Sequence, residues 1–305
     1  MTGAHGQGLP VLLVTGAAGQ VGAEFRRQPG LRAFRLNALD RAALDIGDAE
    51  AVSAAVATIR PDVVVNAAAY TAVDKAESEP ERAFAVNRDG AAHLARACAA
   101  RGVPLIHIST DYVFDGAKDG PWREDDPIGP LGAYGASKAA GEAAVRESWD
   151  RHVIVRASWI YGALGPNFVR TMLRLGATRD RLTVVDDQWG RPTEAGNLAA
   201  ALLTVAGRVI DGGSGAYGTF HYSGGGEPTS WHGFARAVFD RVAARGGRVP
   251  EVAAIPSRDY PSPIRRPANS VLDTTRFQAA FGVAAPPWRE SLRGVLAELL
   301  TPAIS

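Results

Sequence analysis

Short apolar runs alternate with polar, helix-forming stretches through the first half of the chain. The apolar runs are Val11–Val14, Leu31–Leu36, Val63–Val65, Leu105–Ile108 and His152–Ile160. Short apolar runs that are bounded by turn residues and separated by helical stretches are typical of strands buried on both faces of a parallel sheet. The alternation therefore predicts an α/β fold with a right-handed, doubly wound parallel sheet.

The helical stretches carry recognisable ends. Asp48 is placed to cap a helix from Ala49 to Ile59, and a long helix is predicted from Pro80 to Ala100. Further helices are predicted at 138–146, at 168–175 with Asn167 as its cap, at 197–208, at 231–245 and at 288–300. The charged stretch from Asp74 to Pro80 is expected to be a solvated loop.

The regular alternation weakens after about residue 162. Strands predicted at Leu182–Asp186 and Gly218–Ser223 suggest that the later chain partly returns to the sheet and partly builds a cap. We expect a flexible N-terminal extension (1–10) and a dinucleotide-binding domain (11–162, with later returns near 194–224). Segments 163–193 and 225–305 are expected to form mainly a smaller substrate-binding cap and a closing helix.

Composition narrows the function classes. The 305 residues carry a net charge of +1, which gives no electrostatic reason to expect nucleic acid or an anionic membrane as partner. Cys98 is the single cysteine, so no intrachain disulfide forms and a cytoplasmic, reducing compartment is indicated. The six histidines lack metal-ligand spacing. The sequence also lacks a Gly-x-Ser-x-Gly elbow and a P-loop, which argues against the commonest hydrolases and kinases.

A glycine-rich turn follows the first apolar run directly. Gly16 is placed for a tight turn, Gly19 lets backbone N–H groups approach a pyrophosphate, and Gly22 lets the following helix pack closely. The helix N-terminus adds partial positive charge. The arrangement predicts a Rossmann-type dinucleotide site in preference to a purely structural turn.

The cofactor preference depends on the residues after the second run. That run does not end in an acidic residue, and Arg41 is placed where a 2′-phosphate would lie, although Asp40 stands beside it. We therefore favour NADPH over NADH. The turn Leu44–Asp48 either reaches the adenine or serves as the cap of the next helix. The small residues Ala67–Ala69 leave room for a flat ligand.

Three hydrogen-bonding side chains are predicted to meet at one point. The run Leu105–Ile108 enters Ser109–Asp111, and ligands in open α/β sheets bind at such carboxyl ends of strands. Tyr134 and Lys138 lie four residues apart, on one face of a helix. A neighbouring ammonium lowers the pKa of a phenol, so Tyr134 is a candidate proton donor to a carbonyl, with Thr110 holding the same oxygen.

Two further features allow more than one interpretation. Trp159, at the end of a predicted strand, either stacks on substrate or packs in the core. Arg265 and Arg266, between prolines, either grip a diphosphate or form a basic surface loop. The loop 114–130, rich in glycine, proline and aspartate, joins the two halves of the candidate site and is of the kind that carries function.

From Val11 to Leu300 the chain resembles the extended short-chain dehydrogenase/reductases, and within them the dTDP-4-dehydrorhamnose reductases. The general motifs are Thr-Gly-x-x-Gly-x-x-Gly (15–22) and Tyr-x-x-x-Lys (134–138). More specific are Arg60–Glu77, Ser109–Phe114, Asn167-Phe168 with Thr171–Arg174, and Arg265–Ser270. The resemblance implies hydride transfer from NAD(P)H to C4 of a dTDP-bound 4-keto-6-deoxyhexose, which gives dTDP-L-rhamnose.

The resemblance also implies residue roles. Tyr134 is the proton donor, Lys138 lowers its pKa and holds the nicotinamide ribose, and Thr110 takes the place of the usual active-site Ser/Thr. The expected substrate contacts are Thr110, Asp111, Trp159, Asn167 and Arg266. The expected cofactor contacts are Gly16, Gly19, Gln20, Val21, Gly22, Arg41, Asp45, Ile46, Ala69, Tyr70, Thr71, Tyr134 and Lys138.

One departure from the family and two rival functions complete the expectations. Some members bind Mg²⁺ with an acidic cluster at a dimer interface; Glu24 and Glu298 match two positions, but the third is Gly196. The missing third carboxylate argues against Mg²⁺ binding and favours a monomer or weak homodimer. The rivals are a reductase of a related dTDP-sugar, such as a dihydrostreptose synthase, and a non-catalytic NADP-binding subunit like the regulatory β subunit of methionine adenosyltransferase.

Overall fold

The computed structural model describes residues 8–213 and 215–301. Most of the predicted N-terminal extension lies outside these residues. Its last residue, Pro10, accepts a 2.8 Å hydrogen bond from the Arg35 backbone N–H at the start of the sheet. Within the described residues, no helix is both long and apolar enough to cross a bilayer.

In the part of the chain that the structure describes, six strands form one parallel sheet, which confirms the predicted fold class. The order across it is β10-β5-β4-β3-β1-β2. The strands of the chain are β1 (Val11–Thr15), β2 (Arg35–Leu39), β3 (Val63–Asn66), β4 (Leu105–Thr110), β5 (His152–Ala157), β6 (Ile160–Tyr161), β7 (Arg181–Val185), β8 (Trp189–Gly190), β9 (Thr193–Glu194), β10 (Gly218–Tyr222), β11 (Thr229–Ser230), β12 (Glu251–Ile255) and β13 (Asn269–Ser270).

Helices cover both faces of the sheet and build the cap. They are α1 (Gln20–Glu24), α2 (Ala49–Ile59), α3 (Val73–Ala76), α4 (Pro80–Phe84), α5 (Ala91–Arg101), α6 (Ala133–Ser148), α7 (Phe168–Gly176), α8 (Ala195–Ile210), α9 (Trp231–Ala243), α10 (Thr275–Phe281) and α11 (Trp288–Leu299). A π-helical segment, Ala85–Gly90, joins α4 to α5 in the predicted long helix. Asp48 and Asn167 cap α2 and α7 as predicted.

Successive residues of the first strand bury against opposite faces of the sheet. Leu12 and Val14 pack with Phe25 and the helix α8, whereas Leu13 packs with the helices α2 and α5. Side chains alternate between the two faces of a strand, so a sheet with helices on both faces needs apolar residues at every position. This is why the predicted runs were continuous rather than alternating.

The cap has an apolar cluster of its own. Tyr161, Phe234 and Trp288 pack there with residues of α7, β7, α9 and α11. Not all of the C-terminal segment belongs to it, because Phe277 and Phe281 on α10 pack with Phe220 against the main sheet. The strand β10 also lies in the main sheet, beside β5.

Three local predictions were wrong. The second strand is Arg35–Leu39, since Pro29–Ala33 forms a 3₁₀ turn that delays it by four residues. The stretch after Thr71 contains the short helix α3 where a solvated loop was expected. The strand β5 ends at Ala157, because Trp159 adopts a positive φ of 53° that breaks the extended backbone.

Candidate active site

A cleft runs along the carboxyl ends of the strands. One cavity of about 320 Å³ lies between the glycine turn and the residues after β2 and β3. A second, of about 510 Å³, lies between the end of β4, the start of α6 and the cap. The two share lining at Ala18, Gly19, Ala67–Ala69 and Thr71, so they form one continuous space.

The helix α6 delivers Tyr134 and Lys138 to this cleft. It begins where the Glu77 carboxylate accepts the Ala133 backbone N–H at 2.7 Å. A Cβ at Gly135 would lie 2.2 Å from the Tyr112 carbonyl oxygen, and one at Gly141 would lie 2.0 Å from the Asn87 carbonyl oxygen. These two glycines therefore let the helix lie close to its neighbours. The structure brings Thr110, Tyr134 and Lys138 to one cavity, as predicted.

The pKa of Tyr134 moves opposite to the predicted direction. Burial raises it to about 12, and the nearby Thr110 hydroxyl opposes that rise. The Asp111 carboxylate adds to the rise by repelling a phenolate. Tyr134 is therefore held in the protonated form, which a proton donor needs.

Lys138 is buried beside it, with 2% of its surface exposed. Its Nζ donates a 2.7 Å hydrogen bond to the Ile108 carbonyl oxygen. Burial lowers the pKa of Lys138 to about 8, although Glu142 one turn further along favours the charged form. A lysine in this range exchanges its proton close to neutral pH.

Asp111 places a carboxyl group at the same end of β4. It is 3% exposed, and burial raises its pKa to about 6, against the nearby Ser270 and Thr110 hydroxyls, which lower it. The Thr110 hydroxyl donates to its Oδ1 at 3.1 Å, whereas its Oδ2 is buried without a partner among the described residues. An acceptor that is buried without a partner at a cavity wall is a candidate ligand contact.

The glycine turn fits a dinucleotide. Gly16 has a φ of +71°, and a Cβ there would lie 2.5 Å from the Ala68 backbone nitrogen. A Cβ at Gly22 would lie 2.2 Å from the Gly16 carbonyl oxygen, so both positions require glycine. Gly22 serves the close turn without lining the cavities. The other expected cofactor contacts all line one cavity or both.

At the far end of the cleft, Arg41 is exposed and forms an ion pair with Asp45. Its guanidinium lies 3.3 Å from the Asp45 carboxylate, on the wall of the smaller cavity with Ile46. Asp40 follows β2 directly, and its carboxylate accepts the Ala43 backbone N–H at 3.0 Å. In the turn 44–48, Asp48 caps α2, and Asp45 and Ile46 line the cleft.

The cap closes the other side of the larger cavity with aromatic rings. Trp159 stacks on Trp231, with ring centroids 3.6 Å apart, and both line the cavity. A Cβ at Gly190 would lie 2.6 Å from the Trp159 ring, so that glycine makes room for the indole. Trp159 thus packs on the cap and also lines the cavity, so packing does not exclude contact with a ligand.

The two adjacent arginines have different surroundings. Arg266 lines the cavity, where its guanidinium binds the Asp74 carboxylate at 2.8 Å and its buried Nε has no partner among the described residues. Arg265 is exposed. Arg266 therefore faces the cavity, whereas Arg265 does not line it, so the two are not arranged as a pair.

Asn167 is not brought to the active-site cavity. Its Oδ1 accepts the Arg170 backbone N–H at 3.1 Å, and its Nδ2 donates to the carbonyl oxygens of Gly162 and Gly165 at 2.9 and 3.1 Å. It lines a neighbouring cavity beside α7, which shares Gly165 and Pro166 with the larger active-site cavity. The geometry gives Asn167 the task of shaping the loop that carries Gly165 and Pro166, which do face the active site.

Several residues of the site escaped the sequence analysis. Trp231 is distant in sequence, and only its position at the start of an amphipathic helix could have drawn attention to it. His107 and Asn66 lie behind Lys138, both 1% exposed. A polar residue inside an otherwise apolar strand was the available signal for both.

The positions that match the family's Mg²⁺ cluster hold an arginine between them. Arg27 lies 3.1 Å from the Glu24 carboxylate and 2.6 Å from that of Glu298. Burial is the main cause that raises the pKa of Glu24, and the nearby Glu194 carboxylate adds to the rise. Both carboxylate oxygens of Glu194, however, accept hydrogen bonds from the Gly196 and Asn197 backbone N–H groups. Across residues 8–213 and 215–301, no group of three or more His, Cys, Asp or Glu side chains is arranged to hold a metal. The residues present do not fit the ion.

Comparison with known proteins gives a consistent picture. The family model of the RmlD substrate binding domain matches residues 11–301. The dTDP-4-dehydrorhamnose reductase of Sinorhizobium fredii is 46% identical over 292 residues, which cover 95% of this chain and 97% of that protein. Among solved structures, the dTDP-4-dehydrorhamnose reductase of Bacillus anthracis in complex with NADP has a TM-score of 0.88 and 34% identity, covering 95% of this chain and 99% of that one. The one from Clostridium acetobutylicum has the same TM-score, 37% identity and the same two coverages.

Proposed function

The chain belongs to the dTDP-4-dehydrorhamnose reductase family, and we propose that it reduces the C4 keto group of dTDP-4-dehydro-β-L-rhamnose to give dTDP-L-rhamnose. NADPH, with NADH as the alternative, supplies the hydride when bound. The observation that carries the proposal is the meeting of Thr110, Tyr134 and Lys138 in one cavity that continues into the glycine-lined cleft. A binding subunit would not need this set of proton-handling groups.

Tyr134 donates the proton in this proposal. Its raised pKa keeps the phenol protonated in the free enzyme, so the proton is available when negative charge develops on the C4 oxygen. Thr110 lies at the end of β4 in the same cavity, where its hydroxyl holds the same oxygen in line. Proton donation from a fixed position contributes roughly 10²–10⁴-fold in rate.

Lys138 has two tasks. In its ammonium form it stabilises the phenolate that Tyr134 becomes after giving up its proton, and it faces the part of the cleft where the nicotinamide ribose would lie. The Ile108 carbonyl oxygen fixes the position of Nζ at 2.7 Å. Because Lys138 is buried and helix α6 is packed closely, the position does not depend on the substrate.

The substrate is bound from the cap side. The unpartnered Oδ2 of Asp111 accepts a sugar hydroxyl, and the buried Nε of Arg266 donates to a diphosphate oxygen. Trp159 and Trp231 cover the apolar side of the sugar. Removing water from this space strengthens each of these polar contacts.

The cofactor lies along the cleft with its pyrophosphate at the glycine turn. Gly19, Gln20 and Val21 present the N-terminal end of α1 to it, while Ala69–Thr71 form the opposite wall. Arg41 is offered to the 2′-phosphate of NADPH, which requires it to exchange its Asp45 partner for the phosphate.

Three further parts of the proposal concern the whole molecule. The main sheet with its helices (11–162, with returns near 194–224) holds the cofactor, and segments 163–193 and 225–305, apart from α10, supply mainly the substrate cap and the closing helix. The oligomeric state is proposed as a monomer or weak homodimer, since Arg27 takes up the charge of Glu24 and Glu298. Cytoplasmic location is proposed from the single cysteine, Cys98, which is buried and reduced.

The experiment is a coupled measurement of cofactor oxidation and product. Purified enzyme is given NADPH with dTDP-4-keto-L-rhamnose, with NADH and with a second dTDP-4-keto sugar in parallel reactions. Rapid oxidation with the rhamnose precursor and formation of dTDP-L-rhamnose establish the function. Faster turnover of the second sugar would assign the chain to a related reductase, and tight NADPH binding without turnover of either would indicate a binding subunit.

A further inference from the structure

His107 lies directly behind the catalytic lysine. It is on β4, 1% exposed, and its ring is placed between Asn66 on β3 and Lys138 on α6. The Asn66 Nδ2 lies 3.0 Å from its Nδ1, and the Lys138 Nζ lies 3.5 Å from its Nε2. The two ring nitrogens therefore have different partners, and the first partner decides what the second nitrogen can do.

The orientation of the Asn66 amide is fixed by two donors. Its Oδ1 accepts the Thr15 hydroxyl at 2.8 Å and the Ala68 backbone N–H at 3.1 Å. Turning the amide over would set its NH₂ against the Ala68 N–H, which can only donate. The group that faces the His107 ring is therefore the amide NH₂, a donor.

A donor at Nδ1 selects one tautomer of the ring. Burial, followed by the charge of Lys138, holds the pKa of His107 well below its usual value, so the ring is neutral. A neutral ring that accepts at Nδ1 carries its proton on Nε2. That N–H points at the Lys138 nitrogen.

An N–H directed at Nζ interacts differently with the ammonium and the amine forms of lysine. An ammonium has only donors and no lone pair for this N–H, whereas an amine accepts it and still donates to the Ile108 carbonyl oxygen. We propose that Asn66 and His107 are positioning residues that lock this tautomer and thereby favour the uncharged amine of Lys138. The inference rests on the proposed function only in that Lys138 is assigned to catalysis.

The charged group nearest to Lys138, Glu142, favours the ammonium form, but its charge is largely paired. Glu142, on the same helix, favours the ammonium, but Arg156 from β5 and Arg146 from α6 bind its carboxylate at 2.7 and 2.6 Å. Tyr134 shares the cavity in its neutral form. The ring N–H of His107 therefore acts on a lysine whose nearest carboxylate is already paired.

His107 is not a proton relay in this arrangement. Among the residues that the structure describes, its other ring nitrogen contacts the Asn66 amide, and an amide nitrogen neither accepts nor passes on a proton under these conditions. The role is confined to the equilibrium between Lys138 ammonium and Lys138 amine plus a released proton. The expected signature is a shifted lysine titration rather than a lost transfer step.

The chain favours a direct test by NMR, because it has only three lysines: Lys75, Lys118 and Lys138. Lysine labelled at Cε and Nζ is titrated in the full-length enzyme, with Lys75→Arg and Lys118→Arg to assign the signals. Ring ¹⁵N shifts of His107, assigned with His107→Phe, report the tautomer. We expect the proton on Nε2; a proton on Nδ1 would overturn the proposal.

Two substitutions then distinguish the effect of the His107 tautomer on the pKa of Lys138 from the effect of an added charge. Asn66→Ala removes the donor at Nδ1 without adding charge, and Asn66→Asp replaces it by an acceptor of the same shape. Both should raise the pKa of Lys138, by about one unit or more. In a His107→Phe background Asn66→Ala should have no effect, and whatever remains of the Asn66→Asp effect measures charge alone. A Lys138 titration unchanged in both single variants rules the proposal out.

A kinetic readout links the lock to turnover. The limb of the kcat/KM pH profile that reports Lys138 should move with the NMR titration in both Asn66 variants, while a purely structural role would lower Tm without moving that limb. The NMR result needs no turnover. If the Lys138 titration shifts as expected but dTDP-sugars are not reduced, only the proposed function is wrong. If reduction is rapid but the titration does not shift, only the proposed effect of the His107 tautomer is wrong.

Discussion

The indole rings of Trp159 and Trp231 lie face to face, with centroids 3.6 Å apart and planes 12° apart. Trp159 reaches this position through a positive φ of 53°, a conformation that costs a non-glycine residue roughly 1–3 kcal/mol. Strain of this kind persists only where the surroundings fix it, and here the surroundings are the Trp231 ring and the wall of the cleft. The pair therefore joins the strand end to the cap at the place where the sugar would lie.

Removing the outer ring should weaken substrate binding selectively. Trp231→Ala should raise KM for the dTDP-sugar by about tenfold or more, because base or sugar stacking on an aromatic ring is worth roughly 1–3 kcal/mol. The Kd of NADPH should stay within about twofold, measured by cofactor fluorescence. Trp189→Ala is the matched control, since Trp189 is exposed and does not line the cavity. Equal effects of the two changes on KM would reject a substrate role for Trp231.

Tyr134→Phe tests the proton donor. The phenyl ring keeps the packing, so NADPH binding should remain nearly intact while kcat falls by about 10²-fold or more. Tyr112→Phe is the control, because its ring lies 5.6 Å from that of Tyr134 and lines the same cavity. If turnover of Tyr134→Phe survived within about tenfold, or if Tyr112→Phe proved the more damaging change, the assignment of the proton donor would be wrong.

The sequence predicted those parts of the molecule in which local pattern and function coincide. The glycine turn, the strand that ends at Thr110 and the helix with Tyr134 and Lys138 each carry their signal within about ten residues of sequence, so periodicity and turn chemistry were sufficient. The second strand was misplaced because it is only half-buried at the sheet edge, where apolar pattern is weak. There the 3₁₀ turn after Pro29 takes up residues that look strand-like.

What escaped prediction depends on contacts between distant segments. Nothing near Trp231 shows that it meets Trp159, and nothing near Asn66 shows that its amide faces His107. The pKa of Tyr134 was predicted in the wrong direction because a sequence shows the neighbouring lysine and does not show burial. Asn167 belongs to a family motif, but its side chain makes its hydrogen bonds with the loop before α7 and with the first turn of α7.

Arg41→Ala tests cofactor preference. Loss of the guanidinium should weaken NADPH binding by about tenfold or more and leave NADH binding nearly unchanged, since only NADPH carries a 2′-phosphate. Isothermal titration with each cofactor gives the ratio. Asp45→Asn, which frees Arg41 from its 3.3 Å ion pair, should change the ratio in the opposite direction. Arg32→Ala is an exposed control. An equal loss for both cofactors would refute the contact with the 2′-phosphate.

The buried pair of Glu142 and Arg156 should dominate the acid stability of the fold. Both side chains are almost fully buried, and the guanidinium binds the carboxylate at 2.8 and 2.7 Å. Burial raises the pKa of Glu142, but its bonds with Arg156 outweigh this and bring the value to about 2. A carboxyl group with a lowered folded-state pKa stabilises the fold above its unfolded value of about 4.3, and this contribution is lost as the pH falls towards 2.

Glu142→Gln measures that contribution. It leaves Arg156 buried without a counter-charge and should lower the free energy of unfolding by about 3–5 kcal/mol at pH 7. The difference from the unsubstituted protein should shrink as the pH falls from about 5. Urea unfolding at several pH values checks both statements. Glu147→Gln, on the same helix but exposed, should change stability by less than about 0.5 kcal/mol. A pH-independent difference would contradict the assigned ion pair.

Removal of divalent metal should leave this enzyme unaffected. Arg27 already places a fixed positive charge between Glu24 and Glu298, 3.1 and 2.6 Å from their carboxylates, and Glu194 is occupied as the cap of α8. A cation added there would have to displace the guanidinium, against repulsion from it. Activity and Tm should therefore be the same with EDTA and with millimolar Mg²⁺. Arg27→Ala leaves the carboxylates without that cation, so this variant alone should gain Tm on adding Mg²⁺. A Mg²⁺-dependent Tm in the unsubstituted enzyme would show that Arg27 does not replace the ion.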